Sequence, residues 1–193
     1  MAAKTKSNFE LRFFLSPSLV KNLSSIWKKE GYKIKIYAFS DIYFKHERSS
    51  KKIAKIRKWK IPNLKPEVIF FERKNGVKSE SKKKFKNLQI AINFLENQGY
   101  EKYIEIEKKK GVMFTNKSKN KIYVLENIRS LGWSGEVEIA KDQKHKLKEE
   151  IEYLKSLGVS SFTLSSMLEI MEQRLGIKKM KKPKIYRYSL LRI

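Results

Sequence analysis

Residues 131–139 read Leu131-Gly-Trp-Ser-Gly-Glu-Val-Glu-Ile139, and their alternation decides how the rest of the chain is read. Successive side chains of a strand point to opposite faces, so Glu136 and Glu138 share one face while Val137 and Ile139 turn into apolar packing. A carboxylate pair of this kind is unexpected in a chain with 45 Lys+Arg against 20 Asp+Glu. By itself Glu-x-Glu describes a solvated strand face. Its meaning depends on what the other strands present beside it.

Working outward, Asn8-Phe-Glu-Leu-Arg-Phe-Phe14 alternates in the same way, with Asn8, Glu10 and Arg12 on one face and Phe9, Leu11 and Phe13 on the other. Ser16-Pro17 supplies a cap and a first-turn proline for a helix whose stripe is Leu19, Leu23, Ile26 and Trp27 and whose stop is Gly31. Strands are expected at 33–37, 40–44, 53–60 and 67–74, with a polar loop at 46–52 and prolines 62 and 66 as breaks. Asn75-Gly76 marks a hairpin into a returning strand at 77–81. A second helix carries Phe85, Leu88, Ile92 and Leu95 and closes at Gly99. Strands at 103–107, 121–126 and 135–140 follow, with turns at Gly111 and 116–120. Two helices end the pattern, one with Asp142 as candidate cap and Gly158 as stop, the other carrying Leu164, Met167, Leu168, Met171 and Leu175 as core.

The order strand, helix, strands occurs twice, which suggests two similar halves. Many strands pair a charged face of both signs with a bulky apolar face. If helices cover the apolar faces, the charged faces must line an interior. The expected fold is α+β: a closed antiparallel eight-stranded barrel around a polar tunnel, with helices packed outside. One domain over residues 1–176 and a basic tail over 177–193 follow from the pattern.

Composition narrows the functional classes. The formal charge of +25 points to polyanionic partners, namely nucleic acid, polyphosphate, nucleotides or an acidic membrane surface, without choosing among them. No cysteine is present, which removes disulfides, thiolate metal sites and cysteine nucleophiles. The two histidines, His46 and His145, have no second histidine in metal-ligand spacing. No apolar run approaches the ~20 residues of a membrane helix and no leader pattern opens the chain, so a soluble cytoplasmic protein without membrane partners is expected. Nothing in the sequence specifies an oligomeric state.

Cations facing carboxylates across a tunnel suit a chain of phosphates held with a divalent metal. The ordered motifs resemble the CYTH family, the triphosphate tunnel metalloenzymes that include class IV adenylyl cyclases and thiamine or inorganic triphosphatases. The opening Glu-x-Glu-x-Lys of that family is matched by Asn8, Glu10 and Arg12. Asp41-Ile-Tyr-Phe44 is similar to the family's Asp before Tyr-Phe, Lys55-Ile-Arg57 to its Arg-x-Arg, Arg73 to the lysine of its next strand, Lys78-Ser-Glu80 to its Arg-x-Glu, and Lys108-Lys-Lys110 to its Lys-x-Arg. The most specific match is Leu125-Glu-Asn-Ile-Arg-Ser-Leu-Gly-Trp-Ser-Gly-Glu-Val-Glu138, in which Glu126, Glu136 and Glu138 fall on the family's acids. The likeness runs over about residues 8–176.

The resemblance implies a phosphohydrolase dependent on Mg2+ or Mn2+ and acting on a triphosphate-bearing substrate: inorganic triphosphate, a nucleotide or thiamine triphosphate. Metal ligands would be Glu10, Glu136, Glu138 and Glu126, with Glu80 a further candidate. Glu10, Glu138 and Asp41 would serve catalysis. Arg12, Lys35, Lys55, Arg57, Arg73, Lys108 and Lys110 would contact phosphate, Lys35 on strand parity alone. Tyr43 and Trp133 are expected to pack the barrel mouth. Two departures stand out: Asn8 replaces an acid and removes a charge, and Lys55 gives up the bidentate geometry of arginine. The alternatives are a class IV adenylyl cyclase, an RNA 5′-triphosphatase, and a non-catalytic protein binding RNA or polyphosphate.

Overall fold

The computed structural model describes residues 8–74, 77–116, 118, 121–140 and 145–177. Strand β1 (Asn8–Leu15) leads into helix α1 (Pro17–Lys29), and β2 (Lys33–His46), β3 (Ser49–Ile61) and β4 (Glu67–Lys74) follow. The same order returns in β5 (Val77–Lys84), α2 (Leu88–Glu96), β6 (Tyr100–Asn116), β7 (Lys121–Ile128) and β8 (Gly132–Ala140). The chain then adds α3 (Lys146–Ser156), a two-residue strand β9 (Phe162–Thr163) and α4 (Met167–Arg174).

All strand pairings are antiparallel, in the order β5-β4-β3-β2-β6-β7-β8-β1-β9, with β5 also meeting β1. Each half therefore lends its first strand to the other: β1 lies beside β8, and β5 beside β4. The fold is α+β as expected, but a fully closed eight-stranded barrel is not what forms. The sheet has nine strands, and its return is confined to Asn8↔Lys78 and Phe9↔Val77. Further along, Arg12 and Phe13 pair with Thr163 and Phe162 of β9, which takes the edge that β5 leaves.

Three other expectations change for identifiable reasons. Strand β2 is one continuous run of 14 residues instead of two pieces, carried past Ala38 by a register shift against both neighbours. The polar stretch at 46–52 is a short turn, with β3 already begun at Ser49. Gly111 lies inside the 17-residue β6, not at a turn; the Tyr37 ring occupies the space a β-carbon would need there, so glycine serves close packing. The expected cap Asp142 and the tail at 178–193 lie outside the described residues.

Apolar faces are covered as the alternation demands. Leu23 and Trp27 of α1 pack with Leu11, Phe13, Phe114, Tyr123 and Ile151 of α3 in one cluster, where Trp27 stacks on Tyr123 at 4.2 Å between ring centroids. Trp133 packs against the edge of this outer cluster, so it does not sit at the mouth. Helix α2 places Ala91 and Leu95 on Ile42, Phe44, Ala54, Ile56 and Val68. Each fully buried side chain of this size contributes roughly 1.5–3 kcal/mol.

Helix α4 behaves differently. Met167, Leu168 and Met171 pack on Tyr43, Ile106 and Ile128, with Ile53 and Phe71 at the margin. Tyr43 shares strand parity with Asp41, and Ile128 with Glu126, so α4 packs against residues of the charged, inward face. Its start is firmly set by a capping box, Ser166 accepting from the Glu169 amide while Glu169 accepts from the Ser166 amide.

Candidate functional site

The inward faces enclose a cavity of about 260 Å3. Its walls carry Glu10, Arg12, Lys35, Lys55, Arg57, Lys108, Glu126, Glu136 and Glu138, together with Glu80 and Lys82 of β5. Register explains the convergence. Glu10 lies opposite Glu138, and Arg12 opposite Glu136, so four charged side chains of β1 and β8 stand on one face.

Glu10, Glu136 and Glu138 each offer a carboxylate oxygen within 4.8 Å of the others. Glu10 is buried, Glu136 half-buried and Glu138 exposed. Among the described residues this is the group whose geometry could hold a metal ion. Hard oxygen donors at this spacing suit a small divalent cation such as Mg2+ or Mn2+.

Arg12 sits among them. Its Nη2 donates to Glu10 Oε2 at 3.0 Å and reaches Glu136 Oε2 at 2.5 Å, while Nε and Nη1 are buried with no partner among the described residues. Burial works against its charge, and the carboxylates of Glu136 and Glu10 more than offset that, so its pKa is raised above the usual arginine value. Two buried donors left over on an obligate cation cost free energy unless a ligand accepts from them.

Opposite lies a second group. Asp41 is 1% exposed and accepts from Lys55 Nζ at 2.9 Å and from Arg57 Nε and Nη2 at 2.8 and 2.9 Å. Burial would push its carboxyl up, yet Arg57 and Lys55 hold it well below the carboxylate range. Arg57 also lies over the Phe39 ring, 3.8 Å from its centroid. Lys55 and Arg57 line the cavity, whereas Asp41, which accepts from both, does not.

Glu126 faces the same cavity but is occupied otherwise. Lys108 Nζ approaches its oxygens at 2.8 and 2.6 Å, and the Tyr37 hydroxyl donates at 2.6 Å. Burial opposes its charge, and Lys108 and Tyr37 hold the carboxyl below its ordinary range. The structure does not bring Glu126 into the three-glutamate group. Lys110 is exposed and off the cavity wall, because a register shift between Lys108 and Lys110 separates the two. Glu107 points away and pairs with Lys60 and Arg129. The side chains of Asn8, Arg73 and Lys78 lie outside the described residues.

Several wall residues were not expected at the site: Tyr37, Phe39, Trp59, Met113, Val124 and Ser166, and Met167, which the sequence reading placed in the core of the last helix. Tyr37 and Phe39 were within reach of parity, since 37, 39, 41 and 43 share a face once β2 is one strand. Met113 needed β6 to run through Gly111, and Ser166 and Met167 depend on where α4 docks.

No protein-family model matches the chain, and no curated protein does. Solved structures match over most of its length. The PH1819 protein of Pyrococcus horikoshii OT3 superposes with a TM-score of 0.68 at 17% identity, covering 86% of this chain and 99% of that one. An adenylate cyclase candidate from Vibrio parahaemolyticus gives 0.64 at 16%, covering 88% and 99%. An adenylyl cyclase candidate from Hippeastrum, which reveals a dominant triphosphatase activity, gives 0.61 at 16%, covering 91% and 98%. At these identities the likeness is one of fold. The chain shares the fold of these proteins, and its motifs resemble those of the CYTH or triphosphate tunnel family.

Proposed function

We propose that the protein is a divalent-metal-dependent phosphohydrolase that draws a triphosphate-bearing substrate into its cavity. One observation carries the reading: three glutamates within 4.8 Å of one another stand in the same cavity as Arg12, Lys55, Arg57 and Lys108. The triphosphatase activity of the Hippeastrum protein of the same fold supports it.

Glu10, Glu136 and Glu138 are assigned to Mg2+ or Mn2+, which when bound would neutralise phosphate charge and orient a water. Arg12 offers its two unpaired donors to phosphate oxygens. Lys55 and Arg57 bind phosphate from the opposite wall, with Lys108 and, nearer the exposed end, Lys35 beside them. Catalysis is then positioning and charge stabilisation by preorganised cations, with no covalent intermediate required of the protein. Asp41 is assigned a positioning role, holding Lys55 and Arg57 in place. Glu126 likewise positions Lys108, and Asn8 is compatible with a site built on three acids.

The test measures turnover of ATP, inorganic triphosphate and triphosphorylated RNA with Mg2+ or Mn2+, with product identification. Release of phosphate or pyrophosphate without cyclic nucleotide supports the hydrolase, and cyclic AMP with pyrophosphate would replace it with a cyclase. Glu138→Gln should lower turnover by at least ~100-fold and weaken Mn2+ binding in calorimetry, with thermal stability retained, whereas Glu136→Gln should do the same with a lowered Tm, because buried Arg12 loses an ion-pair partner. Equal turnover in these variants would overturn the reading.

A further inference from the structure

Strand β2 outruns β3 at one end. Residues Lys33–Tyr37 pair with β6 from Thr115 to Gly111, whereas β3 joins only at Ala38, opposite Ile61. Pro62, which has no N–H to donate, follows directly and ends β3 there. Among the described residues no strand pairs with the other edge of Lys33–Tyr37, so backbone N–H and C=O groups stand open along it. The two faces of this edge differ. Ile34 and Ile36 lie opposite Phe114 and Val112 and are 45% and 56% exposed. Trp27 of α1 packs on Phe114, but the cluster they share includes neither isoleucine. Ile61, opposite Ala38 and so on the same face, is 53% exposed and continues the apolar strip. Lys33 and Lys35 take the opposite face, and both are exposed.

We propose that the edge Lys33–Tyr37 is a docking site for an extended segment of a partner protein that alternates acidic and apolar residues and joins the sheet as one more strand. Main-chain hydrogen bonds attach it, its apolar side chains cover Ile34, Ile36 and Ile61, and its carboxylates stand opposite Lys33 and Lys35. Charge selects this occupant. A second copy is disfavoured, because the antiparallel register that uses all five residues sets the two Lys35 side chains against each other and each copy carries +25. The chain's own ends fit no better. Residues 178–193 hold seven Lys and Arg and no acid, and residues 1–7 hold two Lys and no acid. Lysines at alternate positions guard an edge against its own kind, and the same charges leave it open to an acidic strand. The inference does not depend on the triphosphate reading of the cavity.

The experiment titrates the full chain, at about 0.15 M salt to screen general attraction, into a labelled, end-blocked octapeptide alternating valine and glutamate, and follows fluorescence anisotropy. The alternating peptide should bind. The same residues arranged as a valine block and a glutamate block should bind at least ~10-fold more weakly, and valine alternating with lysine should not bind. Methylating every second amide nitrogen closes one edge of the peptide, so at least one of the two peptides made this way should lose about tenfold or more. Ile34→Thr combined with Ile36→Thr keeps β-branched residues and should weaken the probe by about twofold to thirtyfold, the sum of two cross-strand pairs, with Tm retained. Equal binding of the block peptide, or undiminished binding of both methylated peptides, shows attraction to charge alone and overturns the docking site. No binding of the alternating acidic peptide overturns it as well. A dimer in sedimentation that the double variant abolishes gives the edge to a second copy and overturns the acidic partner.

Discussion

Replacing Asp41 by asparagine removes the charge that holds buried Lys55 and half-buried Arg57 together. Asp41 accepts three hydrogen bonds, from Lys55 at 2.9 Å and from Arg57 at 2.8 and 2.9 Å, and its side chain and theirs are 1%, 11% and 18% exposed. Breaking a buried pair by removing one partner costs about 3–5 kcal/mol, because the remaining charge is left desolvated and uncompensated. For a chain of this size each kcal/mol moves the midpoint by roughly 2–4 °C, so Asp41→Asn should lower Tm by roughly 6–20 °C at pH 7. The sign with pH follows from the depressed carboxyl. A carboxylate whose pKa is lower folded than unfolded stabilises the fold above its unfolded pKa of about 3.9, and loses that contribution as pH falls below it. The gap between wild type and variant should therefore be full at pH 7 and shrink on acidification below about pH 4. Thermal unfolding followed by circular dichroism at both pH values measures this. Added inorganic triphosphate should also raise the variant's Tm more than that of wild type, since it replaces the lost negative charge. A Tm change under about 2 °C at pH 7, or a gap that does not shrink with acid, would refute the clamp.

Two further outcomes follow from the same wall. Lys108→Ala strands Glu126 and should lower both Tm and triphosphate affinity, the latter by at least ~10-fold, while Lys110→Ala on the exposed side should leave both unchanged; calorimetry on the pair checks the contrast. Gly111→Ala drives a methyl into the Tyr37 ring and should cost about 1–3 kcal/mol in urea denaturation, with weaker substrate binding as Tyr37 shifts from Glu126.

Strand periodicity was the readable part of this chain. Alternation placed Glu10 with Arg12, and Glu136 with Glu138, on shared faces, because a period of two is set by backbone geometry and needs no tertiary information. The apolar stripes of α1 and α2 were equally local. The charged and apolar faces together implied an interior and an α+β antiparallel fold, but not the nine-stranded sheet, which does not close into the expected eight-stranded barrel. Where local signals competed with long-range ones, the long-range ones prevailed. Gly111 reads as a turn residue, yet it is a gap for the Tyr37 ring, which comes from a strand more than seventy positions earlier.

What the sequence determined by itself was which side chains share a face of each strand. Which faces meet was decided only by the tertiary structure. Register brings Glu10 opposite Glu138 by pairing a strand from one half with a strand from the other. It spends Glu126 on Lys108, and turns Lys110 away through a one-residue shift. Partner choice between charges depends on distances of a few ångströms across strands far apart in the chain, where Coulomb energy and desolvation are set by the assembled cavity.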